Sequence, residues 1–175
     1  MRRTSGAVLA VLWCALAAQK SMAGLAPELL WLCHVTSALL ALGLLADLTL
    51  LVAVGFVCQL GLAAPAYVLH LASGGETSAV SFLLHVLAPV AGWLALRGKP
   101  IPAAAPWCAG ALYLLLLVLC NLATPASLNV NLAFRPWTPV DWAGVWPMRA
   151  VNLALVLAQV HGVRLLWNRP GRAPS

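Results

Sequence analysis

The chain has 175 residues, 63% of them hydrophobic and only 8% charged. A soluble domain carries about 25% charged residues to keep its surface hydrated, and the 10 basic and 4 acidic side chains here fall far short of that. The composition therefore excludes a soluble globular domain and calls for a bilayer. The formal net charge of +6 does not describe a nucleic-acid surface, because the basic residues stand at the ends of apolar runs, where they anchor and orient helices. Membrane lipids are the expected partners, and no nucleic acid is.

Residues 1–24 open the chain. Arg2 and Arg3 precede an apolar stretch from Ala7 to Ala18, and small residues follow at Ala15-Leu16-Ala17 and Ser21-Met22-Ala23. This is the pattern of a signal peptide. It equally fits a short N-terminal hydrophobic helix running on through Gln19 and Lys20, and the retained helix is the preferred reading.

A membrane-spanning helix needs roughly 20 apolar residues. Within residues 25–168 five segments meet that need, at about 28–46, 48–69, 79–96, 103–123 and 147–167. Asp47 and Thr49 interrupt the first long run, with Asp47 placed to cap the next helix. Ser73–Thr77 (SGGET) and Arg97–Pro102 (RGKPIP) are loops, the second broken by Pro100 and Pro102. Residues 124–146 are rich in Pro, Asn and Trp and read as a long extramembrane connection, with Trp137, Trp142 and Trp146 suited to an interfacial belt. Residues 169–175 form a tail. The predicted fold is all-α, a polytopic transmembrane helix bundle of five core helices plus the short N-terminal helix or signal peptide.

With Arg2 and Arg3 in the cytoplasm, alternation of the spans brings Arg97, Lys99, Arg164, Arg169 and Arg172 to the same side. Lys20, Arg135 and Arg149 are left outside. The positive-inside rule then sets both termini in the cytoplasm.

On that topology the polar residues gather in the outer half of the membrane. Cys33 and His34 lie near the outer end of their span, and His85 lies roughly 9 Å into its own at 1.5 Å per residue. Gln59 and Asn121 fall in the same half, His70 stands at the mouth, and Asn152 sits near the start of the last span. Asn129 and Asn131 belong to the connection on that side. Uncompensated polar groups in lipid are costly, so these should converge on one another or on a wet pocket. Three prolines add to this. Pro89, Pro65 and Pro125 lack the N–H that would pair the carbonyls of His85, Gly61 and Asn121.

Cys14, Cys33, Cys58, Cys108 and Cys120 all lie in apolar runs, with no C-x-x-C pair, so neither a disulfide framework nor a zinc site is expected. Each polar residue has a plain alternative: Cys33 as a small apolar filler, His85 as a helix-packing residue, Gln59 as a bridge between helices. Gln159 and His161, at the other end, read as packing residues. Ser37 and Ser81 stand one turn from Cys33 and His85 and can support them.

The order Leu29-Leu30-Trp31-Leu32-Cys33-His34, then Gln59 through Pro65 (QLGLAAP), then SFLLH ending at His85 with Pro89 beyond, then Asn121 and TPASLNVNLAF (124–134) before Pro136, resembles YwaF-type bacterial integral membrane proteins. The likeness covers roughly residues 28–150. It departs at His34, where an acidic or amide residue is commoner, and at Leu132-Ala133, which replace an aromatic-Met pair. A eukaryotic branch with this pattern consists of transmembrane phospholipid acyltransferases, and the androgen-induced fatty-acid-ester hydrolases are more distant relations. The resemblance implies a bacterial inner-membrane location, Cys33 as nucleophile and His85 as base. Gln59, Asn121, Asn129 and Asn131 are the candidates for oxyanion or orienting roles, and no metal or cofactor is implied. Two other classes stay open: a non-catalytic assembly factor or lipid- or small-molecule-binding module, and a haem carrier using His34 and His85.

Overall fold

The structure is a computed structural model that describes residues 2–134 and 144–169. Among the described residues it contains six main helices and no strand. They are α1 (Arg2–Met22), α2 (Leu32–Leu45), α3 (Thr49–Ala72), α4 (Ala79–Leu96), α5 (Ala104–Ala123) and α6 (Val145–Trp167). Five of them are long and apolar enough to cross a membrane, and α2 is the shorter apolar one. The chain is a multi-pass integral membrane protein.

The helices pack through glycines that let backbones approach closely, as small residues do between membrane helices. A Cβ on Gly6 of α1 would come within 2.9 Å of Leu44, and one on Gly55 of α3 within 2.9 Å of Leu40, both on α2. Gly92 of α4 faces Phe56 of α3, and Gly110 of α5 faces Leu157 of α6. Leu9 and Leu16 of α1 are buried in the same core as Leu40, Phe56, Leu84 and Val160.

The turns follow from local chemistry. After α2 the chain reverses with Asp47 in the left-handed region (φ 55°) and the Leu48 N–H donating to the Gly43 carbonyl at 2.8 Å. That is the Schellman closure, usually made by glycine and tolerated by aspartate. Asp47 therefore does not cap α3, as its position in sequence suggested; its carboxylate pairs with Arg2 at 2.6 Å. Gly74 (φ 80°) closes α3 in the same way.

Two departures from regular helix matter for the site. In α3 the segment Gln59–Ala63 is a π-helix, the Ala64 N–H donating to the Gln59 carbonyl. Pro65, one residue on, offers no N–H to Gly61, and the widened turn is how the helix absorbs that loss. In addition, α2 is only 14 residues long, about 21 Å at 1.5 Å per residue against a hydrocarbon core of about 30 Å. A 3-10 turn (Ala26–Leu30) precedes it. The helix thus begins at Leu32, inside the bundle rather than at its rim.

The 124–134 segment seals that late start. Val130 and Ala133 are fully buried against Leu32, Tyr113 and Leu116. Trp137 and Trp142 lie outside the described residues. Trp146 is 76% exposed at the start of α6, with Arg149 4.6 Å over its ring.

The polar contacts divide into two ends. Arg2 bonds the Ala95 carbonyl, while Arg164 and Asn168 bond Ile101. The opposite end holds Lys20 with Glu28, His70, Tyr67 and the 124–134 segment.

Candidate functional site

The start of α2 carries the first part of the site. Cys33 stands in its first turn, half-buried. Its carbonyl accepts from Gln59 Nε2 at 2.7 Å and from Ser37 Oγ at 2.8 Å. The same Gln59 nitrogen also lies 3.0 Å from Thr36 Oγ1 and 2.8 Å from Ser37 Oγ. Gln59 is fully buried, and its Oε1 has no hydrogen-bond partner. The polar residues of α2 and α3 converge directly on one another.

Asn131 clamps the helix start from the other side. In a left-handed conformation (φ 54°), it accepts the Leu32 N–H at 2.9 Å and donates to the Leu30 carbonyl at 2.7 Å. One side chain thus satisfies an orphan amide of α2 and the last carbonyl of the turn before it. Cys120 Sγ lies 3.4 Å away.

The histidines form the second part. His85, in the second turn of α4, donates from Nδ1 to the Ser81 carbonyl at 2.8 Å. His34 donates from Nδ1 to the Glu28 carbonyl at 2.9 Å. A carbonyl only accepts, so both rings are held with the proton on Nδ1 and the lone pair on Nε2. The two ring centroids are 6.2 Å apart, with planes at 70°. On its other side His85 stacks on Tyr67 at 3.8 Å and 8°. The Lys20–Glu28 ion pair, 2.5 Å long, stands beside His34.

The predicted residues are thus partly brought together. Gln59 meets Cys33 through the backbone carbonyl, and Asn131 orders the turn that precedes Cys33. The ring that faces His85 from α2 is that of His34. Asn121 donates to the Leu117 carbonyl and receives Arg149 at 3.0 Å. Asn129 accepts the Phe134 N–H at 3.0 Å within its own loop. The amide donors of Gln59 and Asn131 are committed to carbonyls, and the His34 N–H donates to the Trp31 carbonyl at 2.9 Å. Ser81 supports His85 with its carbonyl rather than its hydroxyl. His161 packs edge-on against Trp107 at 4.8 Å.

Tyr67, Thr36 and the Lys20–Glu28 pair are components that the sequence did not single out. Tyr67 lies one turn before His70 on α3, and that spacing was the one available signal. Among the described residues, no three His, Cys, Asp or Glu side chains come together in a metal-binding group. One turn beyond His85, Phe56, Leu60, Pro89, Val90 and Trp93 line an open apolar groove of about 220 Å³ between α3 and α4.

No family model, curated protein or solved structure matches this chain.

Proposed function

We propose that this membrane protein transfers or hydrolyses lipid acyl groups through Cys33, with His85 as base. The observation that carries the reading is the meeting of His85 with His34, the residue next to Cys33, at the buried start of α2. In the proposed reaction Cys33 Sγ attacks the carbonyl carbon of a lipid ester. A C–S bond forms, the ester C–O bond breaks, and the thiol proton passes to His85 Nε2 and on to the departing alkoxide. A hydroxyl of an acceptor lipid, or water, then attacks the thioester and gives up its proton to the same nitrogen; a C–O bond forms, the C–S bond breaks, and the proton passes from Nε2 to the departing thiolate, restoring the thiol. The amide of Cys33, in the first turn of α2, would serve the developing oxyanion. The apolar groove below His85 suits an acyl chain. This site belongs to the extracytoplasmic side of a bacterial inner membrane in our reading, with both termini cytoplasmic, because Arg2, Arg3, Arg97, Lys99 and Arg164 fall at the other end.

A second reading, a non-catalytic lipid-binding or assembly module, is favoured by one observation. Gln59, Thr36, Ser37 and Asn131 use their donors on backbone or on one another, as structural polar residues in a bundle do.

Labelling the purified protein with an alkyl-chain iodoacetamide separates the two. Acyl transfer predicts fast labelling that is lost in Cys33→Ala and slowed in His85→Ala. Labelling confined to Cys14 or Cys108, or indifferent to His85→Ala, overturns the catalytic reading.

A further inference from the structure

An imidazole on a helix has two freedoms that decide whether it works as a base: the tautomer, and the direction in which the free nitrogen points. The Ser81 carbonyl settles the tautomer of His85 by taking Nδ1–H at 2.8 Å. A single hydrogen bond still leaves the ring plane free to swing about it. The face of Tyr67, at 3.8 Å and 8° from parallel, removes that swing.

Tyr67 is itself held. Its hydroxyl meets Thr77 Oγ1 at 2.5 Å, and its ring lies 6.3 Å from that of His70, tilted by 30°. His70 Nε2 in turn donates to the Glu76 carbonyl at 3.0 Å. Two side chains one turn apart on α3 are thereby tied to successive residues of the loop that leads into α4. A phenol suits this place, since its ring packs in an apolar setting while its hydroxyl finds a polar partner at the edge.

We propose that Tyr67, tethered through Thr77, is the positioning residue that fixes the ring plane of His85 and so aims its Nε2. The proposal rests on the reading of His85 as the base for Cys33, and it adds the loop 73–77 as the element that sets the base's alignment. Tyr67 touches neither substrate nor thiol in this scheme. It acts only through the imidazole.

The test uses the full chain in lipid nanodiscs and reads the rate of Cys33 alkylation by the alkyl-chain iodoacetamide across the neutral pH range. Tyr67→Leu should slow labelling at least about tenfold, a fraction of what a general base contributes, and distort its pH profile. Tyr67→Phe keeps the stacked ring and should restore most of the rate. Thr77→Val removes the tether alone and should give an intermediate loss, so it serves if Tyr67→Leu does not yield a monodisperse folded protein. Wild-type rate and profile in Tyr67→Leu, with His85→Ala slow, would overturn the proposal while leaving the base in place. If His85→Ala has no effect either, the acyl-transfer reading fails. The positioning claim is then judged by ¹⁵N-histidine spectra: one ordered Nδ1–H form of His85 in the wild type, and an averaged ring in Tyr67→Leu. An unchanged spectrum sinks it.

Discussion

The amide nitrogen of Gln59 reaches the carbonyl oxygen of Cys33 at 2.7 Å, joining the π-helical turn of α3 to the first turn of α2. Lipid offers no competing donor, so such a bond acts as polar glue between helices. The Cys33 carbonyl keeps a second donor in Ser37 Oγ, and the Gln59 Oε1 is an unmet acceptor. Gln59→Leu should therefore cost only about 1 kcal/mol, a typical net hydrogen bond. Gln59→Glu would set a carboxyl among oxygens that are already acceptors and should cost about 3 kcal/mol. Thermal unfolding in micelles orders the two variants; equal losses would refute this account of the cluster.

Asn131 predicts a different signature, because it combines a clamp with an unusual backbone. Alanine there loses the bonds to Leu32 and Leu30, about 1–3 kcal/mol for each buried group left unpaired. It also carries a Cβ at φ 54°, about 1–2 kcal/mol more. Glycine shares the first loss and escapes the second. Asn131→Gly should be measurably more stable than Asn131→Ala, and the reverse order in a thermal or denaturant titration would show that the clamp is misassigned.

The all-α membrane bundle was legible because apolar runs of spanning length and their breakers are properties of local sequence. So was the disturbance at Pro65, since the missing N–H is written in the residue itself. Rotational phase was not. Helices that are apolar on most faces give little periodic signal about which side meets which neighbour. That is why Tyr67 went unnoticed, although the pairing of His34 with His85 was legible from their common depth. Asn131 was read as a candidate for an oxyanion or orienting role, and nothing local announces that its partners are 99 and 101 residues away. Asp47 carried a capping residue's identity but took a left-handed turn, where the closing bond from Leu48 to Gly43 decides the conformation.

Glycine positions give a paired prediction of opposite sign. A Cβ on Gly55 would meet Leu40 Cβ at 2.9 Å and the Thr36 carbonyl oxygen at 3.0 Å, so the α2–α3 crossing must open to admit it. Gly55→Ala should destabilise by about 1–3 kcal/mol, as overpacking does. Gly162 of α6 has nothing within 4 Å of the same added atom. Gly162→Ala should be neutral or stabilising by up to about 1 kcal/mol, from helix propensity alone. Unfolding midpoints that fall in both variants would mean that α6 is more closely covered than this packing allows.

Helix α1 is part of the packed core. Leu9 and Leu16 are buried within the same core as Leu40 and Leu84, and Gly6 lies against Leu44. Trp13 Nε1 donates to the His34 carbonyl at 2.9 Å, and Lys20 pairs with Glu28 at 2.5 Å. A helix so placed supports the wall behind His34. Leu16→Ala should then cost about 2–5 kcal/mol, the range for a fully buried leucine whose cavity does not collapse. It should also loosen His34 against His85, which histidine spectra of the same sample would register. The unfolding measurement is paired with the intact mass of the purified protein. A wild-type midpoint in Leu16→Ala, with a mass that includes residues 2–22, would mean that α1 lies against the bundle without stabilising it.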